Sequence, residues 1–294
     1  MKWYLIRLNI LFSIFTMSSL FQLFKEETKD IVHTPQSGTS RSGTSGSGTS
    51  GSGTPVLPYL IEHSLPPLPL ILSNLVEHAK TSIANAMKNT SKLTVDILNM
   101  EGMSGYKTRH LYNNMCSMPD TRYLEIGTWK GSSFVSAMFG NGSNARGFVN
   151  DNWTIESSSK KIFEENTSRF LDSKIYSYKL IDKDCWTVSS KDIDKPINVF
   201  MYDGAHTYED QKRAITYFSR FFDRYAIVMI DDWMCDWVDV KRGTMDGFKE
   251  AGLEIIFQHE IGLINTTSFH MGGDTFWNGC GIFVCKRTDP ILWG

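Results

Sequence analysis

Short apolar segments after Asp120 constrain the fold of this 294-residue chain more than any other feature of its sequence. Each segment has the length of a β-strand, and amphipathic stretches separate most of them. Such alternation is typical of a mostly parallel sheet with helices on both faces. We therefore predict an α/β fold with seven strands, over Tyr123 to Ile126, Gly147 to Asn150, Ile175 to Leu180, Val199 to Tyr202, Ala226 to Ile230, Glu254 to Gln258 and Gly281 to Cys285.

The N-terminal residues form a separate apolar segment. Lys2 and Arg7 precede a run from Leu8 to Phe24 that only a few polar residues interrupt. This run is near the short end of the range for a spanning helix. We expect residues 1–24 to be a transmembrane signal anchor, which would make the protein single-pass and membrane-anchored, with its orientation open. A cleaved signal peptide, leaving a secreted or soluble protein, and an interfacial helix are the alternatives.

Two further regions precede the predicted sheet. Residues 25–57 contain a long stretch of Ser, Gly and Thr that cannot bury apolar surface, so we expect a disordered linker. Residues 58–120 carry apolar positions at helical spacing and are predicted to form a helical cap or lid over the domain at 121–294. Lys107, Arg109 and His110 of this cap would either meet an anionic part of a substrate or be solvated.

Charge and cysteine content narrow the range of partners. The chain has 30 basic and 32 acidic residues, a formal net charge of -2, and lacks the basic excess of nucleic-acid-binding proteins. Its five cysteines show neither CxxC nor zinc-finger spacing. We therefore expect a small-molecule substrate and no nucleic acid. A homo-oligomer is compatible with the sequence, which does not reveal the oligomeric state.

A glycine-containing turn follows the first predicted strand in the run YLEIGTWKGSS. Gly127 and Gly131 would let a ligand approach the backbone, at a turn where doubly wound sheets bind cofactors. Asp151 ends the second strand at the spacing of an acid that binds ribose hydroxyls. A structural turn and a helix cap are the alternatives. The candidate cofactor-binding residues at these turns are Glu125, Gly127, Thr128, Trp129, Gly131, Ser132, Asp151, Asn152 and Trp153.

Acidic residues follow the fourth and fifth predicted strands. Asp203 comes after INVFMY, and Asp231 and Asp232 come after AIVMI. The carboxyl ends of neighbouring parallel strands meet at one edge, so three carboxylates there would repel one another unless a cation neutralised them. Oxygen ligands of this kind suit Mg²⁺. The sequence favours a metal site at Asp203, Asp231 and Asp232, with helix capping and solvent exposure as the alternative.

Two more side chains are candidates for the same edge of the sheet. His206 lies three residues after Asp203 in DGAHTYED, where an imidazole could serve as a general base. We expect His206 and Asp203 to be the catalytic pair, although a lone histidine is more often structural. Asp184, in the loop IDKDCW, would either accept a hydrogen bond from a purine amino group or be an exposed acid. Asp203 is also a candidate for cofactor binding.

The ordered set YLEIGTWKGSS, DNW, VFMYDGAHTYED and MIDDW resembles the motifs of class I S-adenosylmethionine (SAM)-dependent methyltransferases. It is most similar to the small-molecule O-methyltransferase branch, which includes the macrocin-type, methyltransferase-24-like enzymes. The resemblance covers about Gly102 to Lys286. It implies a Rossmann-like sheet of order 3-2-1-4-5-7-6 with the last strand antiparallel, SAM on the glycine turn and Asp151, and Mg²⁺ on the three aspartates.

One position departs from the pattern of these relatives. Sugar-modifying members have an acid two positions after the first metal-binding acid, where this chain has Ala205, and catechol-type members have a lysine at the place of His206. The identity of the base is therefore open. The expected activity is metal-assisted transfer of a methyl group from SAM to a small-molecule hydroxyl, with sugars among the candidates. A nicotinamide-linked Rossmann oxidoreductase and an inactive membrane-tethered binding module are the alternatives.

Overall fold

The computed structural model describes residues 70–235, 239–262 and 273–289. The predicted membrane segment at 1–24, the predicted linker at 25–57 and the start of the predicted cap lie outside these ranges. Among the helices within these ranges, none combines the length and apolar character needed to cross a membrane.

Within the described residues, three helices precede the sheet. They are α1 at Leu70–Met87, the short α2 at Val95–Leu98 and α3 at Tyr106–Met115. The helix α1 is amphipathic, and its buried face includes Leu72, Ala79 and Ile83. It packs against α3, whose residues from Thr108 onwards are all buried. The helix α3 is thus packed into the core of the domain.

All seven predicted strands are present, most of them longer than predicted. They hydrogen-bond in the order β3-β2-β1-β4-β5-β7-β6, and β7 runs antiparallel to both of its neighbours. The predicted Rossmann-like α/β fold, including its strand order, is therefore confirmed. The strands are β1 Thr121–Ile126, β2 Ala145–Asp151, β3 Ser177–Asp182, β4 Ile197–Tyr202, β5 Phe222–Asp231, β6 Leu253–Ile261 and β7 Cys280–Arg287.

Helices connect most of the parallel strands and cover both faces of the sheet. Consecutive strand residues point to opposite faces, so Tyr123 belongs to one buried apolar cluster and Leu124 to the other. Both clusters are rich in aromatic and branched side chains, which explains why the strands read as nearly continuous apolar runs. The connecting helices are α4 Ser132–Met138, α5 Ser159–Phe170, α6 Tyr208–Phe218 and α7 Val240–Glu250, with short 3₁₀ turns at Cys185–Thr187 and Ser219–Phe221.

The register of the strands brings four of their carboxyl ends to one edge. Ile126 at the end of β1 lies beside Asn150 of β2 on one side and Tyr202 of β4 on the other. Tyr202 in turn lies beside Ile230 of β5. The turns that leave these four strands are therefore neighbours, and they carry most of the residues that the sequence indicated.

Candidate active site

The bend after β1 depends on glycine at position 127. Gly127 has φ +89°, and a Cβ there would overlap the backbone carbonyl oxygen of Asp203. The amide of Gly127 donates to the carbonyl of Asn150 at 2.9 Å, and the amide of Asp203 donates to that of Ile126 at 2.9 Å. The ends of β1, β2 and β4 thus approach more closely than any side chain at position 127 would allow.

Gly131 begins the helix α4 in the left-handed conformation, with φ +82°. A Cβ there would come within 2.7 Å of the ring of Phe163 in α5. Ser132 and Ser133 follow in the first turn of α4, and both are buried. Steric crowding therefore explains both glycines of the predicted loop. A side chain at Gly127 would overlap a backbone carbonyl, and one at Gly131 would overlap an aromatic ring.

Glu125 lies beneath this loop and is completely buried. Its carboxyl group accepts hydrogen bonds from the hydroxyls of Tyr123 and Ser133, each at 2.6 Å. Burial raises the pKa of Glu125 to about 7, although these hydrogen bonds act in the opposite direction. Glu125 thus ties β1 to the first turn of α4 from below, and it does not belong to the wall of the cavity described below.

Asp151 at the end of β2 organises two tryptophans. One carboxylate oxygen accepts from the amide of Trp129 at 2.8 Å, and the other accepts from the amide of Trp153 at 2.8 Å. The indole N–H of Trp153 donates to the carbonyl of Trp129 at 3.0 Å. Both tryptophans have positive φ, 48° and 45°. Each carboxylate oxygen of Asp151 keeps a second lone pair, so this side chain can still accept a hydrogen bond from a ligand hydroxyl.

Glu156 also holds Trp129 in place, and the sequence did not indicate this residue. Its carboxylate accepts from the indole N–H of Trp129 at 2.9 Å and from the hydroxyl of Ser159 at 2.9 Å. Hydrogen bonds from Ser159 and Trp129 hold the pKa of Glu156 below its usual value. The sequence feature that could have indicated Glu156 is an acidic residue three positions before Ser159, the first residue of the helix α5.

Two predicted cofactor-binding residues have local structural roles. Asn152 is exposed, and its side-chain oxygen accepts from the amide of Thr154 at 3.2 Å. Asp184 is also exposed, and it caps the 3₁₀ turn by accepting from the amide of Trp186 at 3.1 Å. Neither side chain lines the cavity at the glycine bend.

A narrow cavity lies next to the glycine bend, and its walls come from the strand ends and from the cap. The strand-end residues include five of the predicted cofactor-binding residues, whereas Gly131, Asp151 and Trp153 do not line the cavity and the residues of the cap were not predicted. The walls consist of Met103, Ser104, Tyr112, Gly127, Thr128, Trp129, Ser132, Ser133, Asp203 and Asp231.

Arg109 holds the cap segment that supplies Met103 and Ser104. Its guanidinium is fully buried and donates to the carbonyl of Ile97 at 2.8 Å and to the hydroxyl of Ser104 at 3.1 Å. Burial lowers the pKa of Arg109 to about 10. Its neighbours are also engaged, since Lys107 pairs with Asp274 and His110 contacts Ser91 at 2.6 Å. These three side chains therefore organise the cap through contacts within the protein.

Asp203, His206 and Asp232 form a compact cluster beside the cavity. The Nε2 atom of His206 lies 3.5 Å from Oδ1 of Asp203 and 3.2 Å from Oδ2 of Asp232. One potential ligand atom from each residue lies within 4.8 Å of the other two. His206 and Asp232 are buried. Two carboxylates and an imidazole at this separation match the donor chemistry that binds divalent cations.

Asp231 lies near this cluster but is not one of its members, although the sequence grouped it with Asp203 and Asp232. It is buried against the cavity and accepts a hydrogen bond from the hydroxyl of Tyr112 at 3.2 Å. Burial, with added repulsion from Asp203 and Asp232, raises the pKa of Asp231 well above its ordinary value. The structure therefore places His206, and not Asp231, in the group whose ligand atoms converge.

Asn278 is a further residue of this cluster that the sequence did not reveal. Its side-chain amide donates to Oδ1 of Asp232 at 2.7 Å. Asn278 precedes β7 and lies 46 positions from Asp232 along the chain. No local sequence pattern connects the two residues, so only the folded arrangement indicates the contact.

Comparison with known proteins assigns a family model to the central part of the chain. Residues 124–233 match the model of a methyltransferase domain, and this range runs from β1 to the residue after Asp232. No curated protein matches the sequence significantly.

Several solved structures resemble the chain at low sequence identity. An O-methyltransferase from Bacillus cereus in complex with SAH is 12% identical, with 76% of this chain and 94% of that chain covered and a TM-score of 0.43. Cofactor-bound Rv0187 from MTB is 15% identical, with coverages of 76% and 100% and a TM-score of 0.45. A proposed rRNA methylase from Clostridium thermocellum is 13% identical, with coverages of 65% and 100% and a TM-score of 0.45.

Proposed function

We propose that the methyltransferase domain matched at residues 124–233 uses SAM and transfers its methyl group to a hydroxyl of a small molecule held beside a divalent cation. This proposal rests on one observation, which is that Asp203 belongs to both parts of the site. It lines the cavity at the glycine bend and also belongs to the cluster with His206 and Asp232. A methyl donor and a cation-bound acceptor would therefore meet at one side chain.

The cofactor would occupy the cavity between the strand ends and the cap. The bend at Gly127 lets SAM approach the backbone. Asp151 is not part of the cavity wall but holds the amide of Trp129, which is, and its second lone pairs suit the ribose hydroxyls. Ser104 and Tyr112 close the cavity from the side of the cap. This arrangement would hold the methyl group toward Asp203 and shield it from water, and such positioning is a major source of rate enhancement.

The donor atoms of Asp203, His206 and Asp232 fit a divalent cation, because two carboxylates attract it and the imidazole adds a nitrogen ligand. When bound, such an ion would lower the pKa of the acceptor hydroxyl. Because carboxylates favour Mg²⁺ and Mn²⁺ whereas imidazole favours transition metals, Mn²⁺ suits this mixed set at least as well as the Mg²⁺ expected from the sequence.

The position of His206 bears on its predicted role as the base. Its Nε2 atom faces both Asp203 and Asp232. A nitrogen directed at two carboxylates is poorly placed to take a proton from a third group, so we favour His206 as a cation ligand. The acceptor hydroxyl would lose its proton to a solvent base, its oxygen would attack the methyl carbon of SAM, and S-adenosylhomocysteine (SAH) would leave with the electron pair of the broken carbon–sulfur bond.

The balanced charge of the chain supports a small acceptor over a nucleic acid. A net charge of -2 gives no general attraction to a polyanion. We further propose that residues 1–24 anchor the enzyme to a membrane, as their apolar composition indicates.

Binding and turnover assays on the purified chain test this function. We expect SAH to bind and NAD to show no measurable binding in calorimetry, and we expect transfer of labelled methyl from SAM to members of a panel of catechols and sugars. Excess EDTA should abolish transfer and leave SAH binding intact. Turnover that is unchanged in EDTA would refute the cation, and SAH binding without transfer to any acceptor would favour the inactive binding module.

A further inference from the structure

Residues 273–279, here called the 273–279 segment, join the cation cluster to the cap. We propose that Asn278 of this segment is a positioning residue, which orients Asp232 so that one carboxylate oxygen faces the cation. This inference deepens the proposed function and rests on its cation site.

The two oxygens of Asp232 have different partners. Oδ1 accepts from the side-chain amide of Asn278 at 2.7 Å, while Oδ2 lies 3.2 Å from Nε2 of His206. A carboxylate can only accept hydrogen bonds, so the NH₂ group of Asn278 is the end of the amide that can face it. This contact fixes the rotation of the Asp232 carboxylate and directs Oδ2 toward the group formed with Asp203 and His206.

The backbone of Asp232 supports the same interpretation. Asp232 has φ +54°, which is uncommon for a residue other than glycine. The next two residues are attached to the 273–279 segment, since the amide of Trp233 donates to the carbonyl of Gly279 at 3.4 Å and that of Met234 to the carbonyl of Asn278 at 2.8 Å. Asn278 therefore contacts the turn after β5 through both its backbone and its side chain.

The other end of the 273–279 segment is attached to the cap. The amide of Tyr106 donates to the carbonyl of Gly273 at 2.9 Å, and Lys107 pairs with Asp274 at 2.7 Å. Gly105 lies so close to the backbone of Thr275 that a Cβ would overlap its carbonyl oxygen. The segment is thus held at both ends, so Asn278 has a defined place from which to orient Asp232.

Removing the amide of Asn278 should weaken cation binding selectively. Partners that orient a metal ligand typically contribute about 10- to 100-fold to metal affinity. We expect Asn278→Ala to raise the Kd for Mn²⁺, measured by calorimetry on the full chain, by about this factor. The Kd for SAH should change little, because the cavity does not include Asn278.

Asn198 provides a matched control. It lies at the start of β4, at the end of the strand away from the cation cluster. Its side chain accepts from the amide of Arg122 at 2.7 Å and donates to the carbonyl of Asp120 at 2.9 Å, so Asn198→Ala also loses amide hydrogen bonds. This variant should bind Mn²⁺ as the wild type does. Should Asn278→Ala fail to fold, Asn278→Ser keeps a polar residue in the segment but is too short to reach Asp232, and the same loss is expected.

The outcomes separate this inference from the function on which it rests. Wild-type Mn²⁺ affinity in a folded Asn278 variant would overturn the positioning role and leave the cation site standing. No Mn²⁺ binding by the wild type would overturn the cation site and the inference together, whatever the affinity for SAH. Weakened Mn²⁺ binding in both Asn278→Ala and Asn198→Ala would reveal a general structural effect and would also overturn the positioning role.

Discussion

The cofactor side and the cation side of the site are built in different ways. On the cofactor side, glycines bring backbones together, and Asp151 uses both oxygens to hold the amides of Trp129 and Trp153. On the cation side, Asp203 and Asp232 converge on one imidazole, with Asp231 buried nearby. The first region is stabilised by its own hydrogen bonds, whereas the second collects like charges, which is costly unless a cation offsets the repulsion. Substitutions in the first region should therefore lower stability, whereas substitutions in the second should weaken cation binding without lowering stability.

The largest effect is expected at the glycine bend. Gly127→Ala would place a methyl group against the carbonyl oxygen of Asp203 at φ +89°. Overlap with a backbone atom and the left-handed conformation together should lower the free energy of unfolding by about 3 kcal/mol or more, and SAH binding should be lost. Urea denaturation and calorimetry measure the two effects.

Gly252 provides a control that separates the effect of the left-handed conformation from that of steric overlap. It has φ +64°, and the nearest atom to a Cβ added there would be the Thr288 hydroxyl oxygen at 3.5 Å. Gly252→Ala should cost only about 1–2 kcal/mol and keep SAH binding. Equal losses in the two variants would show that the close approach to Asp203 is unimportant.

A pH-dependent effect is expected from the carboxyl beneath the cofactor loop. The pKa of Glu125 is about 7 in the folded protein, above its ordinary value of 4.5. The folded state therefore holds this proton more tightly, so the associated stability is complete below pH 4.5 and is lost as the pH rises to about 7. We expect a loss of about 3 kcal/mol across this interval.

Glu125→Gln removes the titrating group and keeps one of the two oxygens that accept from Tyr123 and Ser133. Relative to the wild type, this variant should gain stability as the pH rises from 5 to 8, in urea denaturation at each pH. A difference between the two proteins that does not vary with pH would show that Glu125 is ionised in the folded state throughout this range.

Matched substitutions in the two regions test the comparison most directly. Asp151→Asn should destabilise the fold by about 1–3 kcal/mol and weaken SAH binding, because the amide that replaces one oxygen cannot accept an N–H. Asp232→Asn should leave stability unchanged or higher without metal, because a like charge is removed, but it should weaken Mn²⁺ binding. If both variants lost stability equally, the distinction between the two regions would fail.

The smallest effect is expected at the ion pair between the cap and the 273–279 segment. Lys107 and Asp274 are 2.7 Å apart, but the Asp274 side chain is 57% exposed. Exposed pairs contribute little, so Lys107→Met should cost less than about 1 kcal/mol and leave Mn²⁺ binding unchanged. Thermal melting at low and high salt measures this contribution. A large loss of Mn²⁺ affinity would instead show that this ion pair is needed to hold the 273–279 segment where Asn278 orients Asp232.

The predicted strands were correct in number and order, and the differences lie at their ends. The strand β6 continues past its predicted end at Gln258 through His259 and Glu260, which are exposed at the edge of the sheet and lack the apolar signal of a buried strand. The strand β5 begins four residues earlier than predicted, at Phe222, because pairing with β4 and β7 extends it. Polar edge positions are set by pairing with neighbours, which a local pattern does not contain.

The sequence by itself determined the α/β class, the seven strands and the acids and glycines at the strand ends, because apolar periodicity and turn residues act over a few neighbouring positions. Only the tertiary structure decided that His206 replaces Asp231 in the convergent cluster, that Tyr112 of the cap reaches the cavity and that Asn278 reaches Asp232. These contacts join residues far apart in the chain, and their geometry depends on the packing of the cap and the pairing of β7.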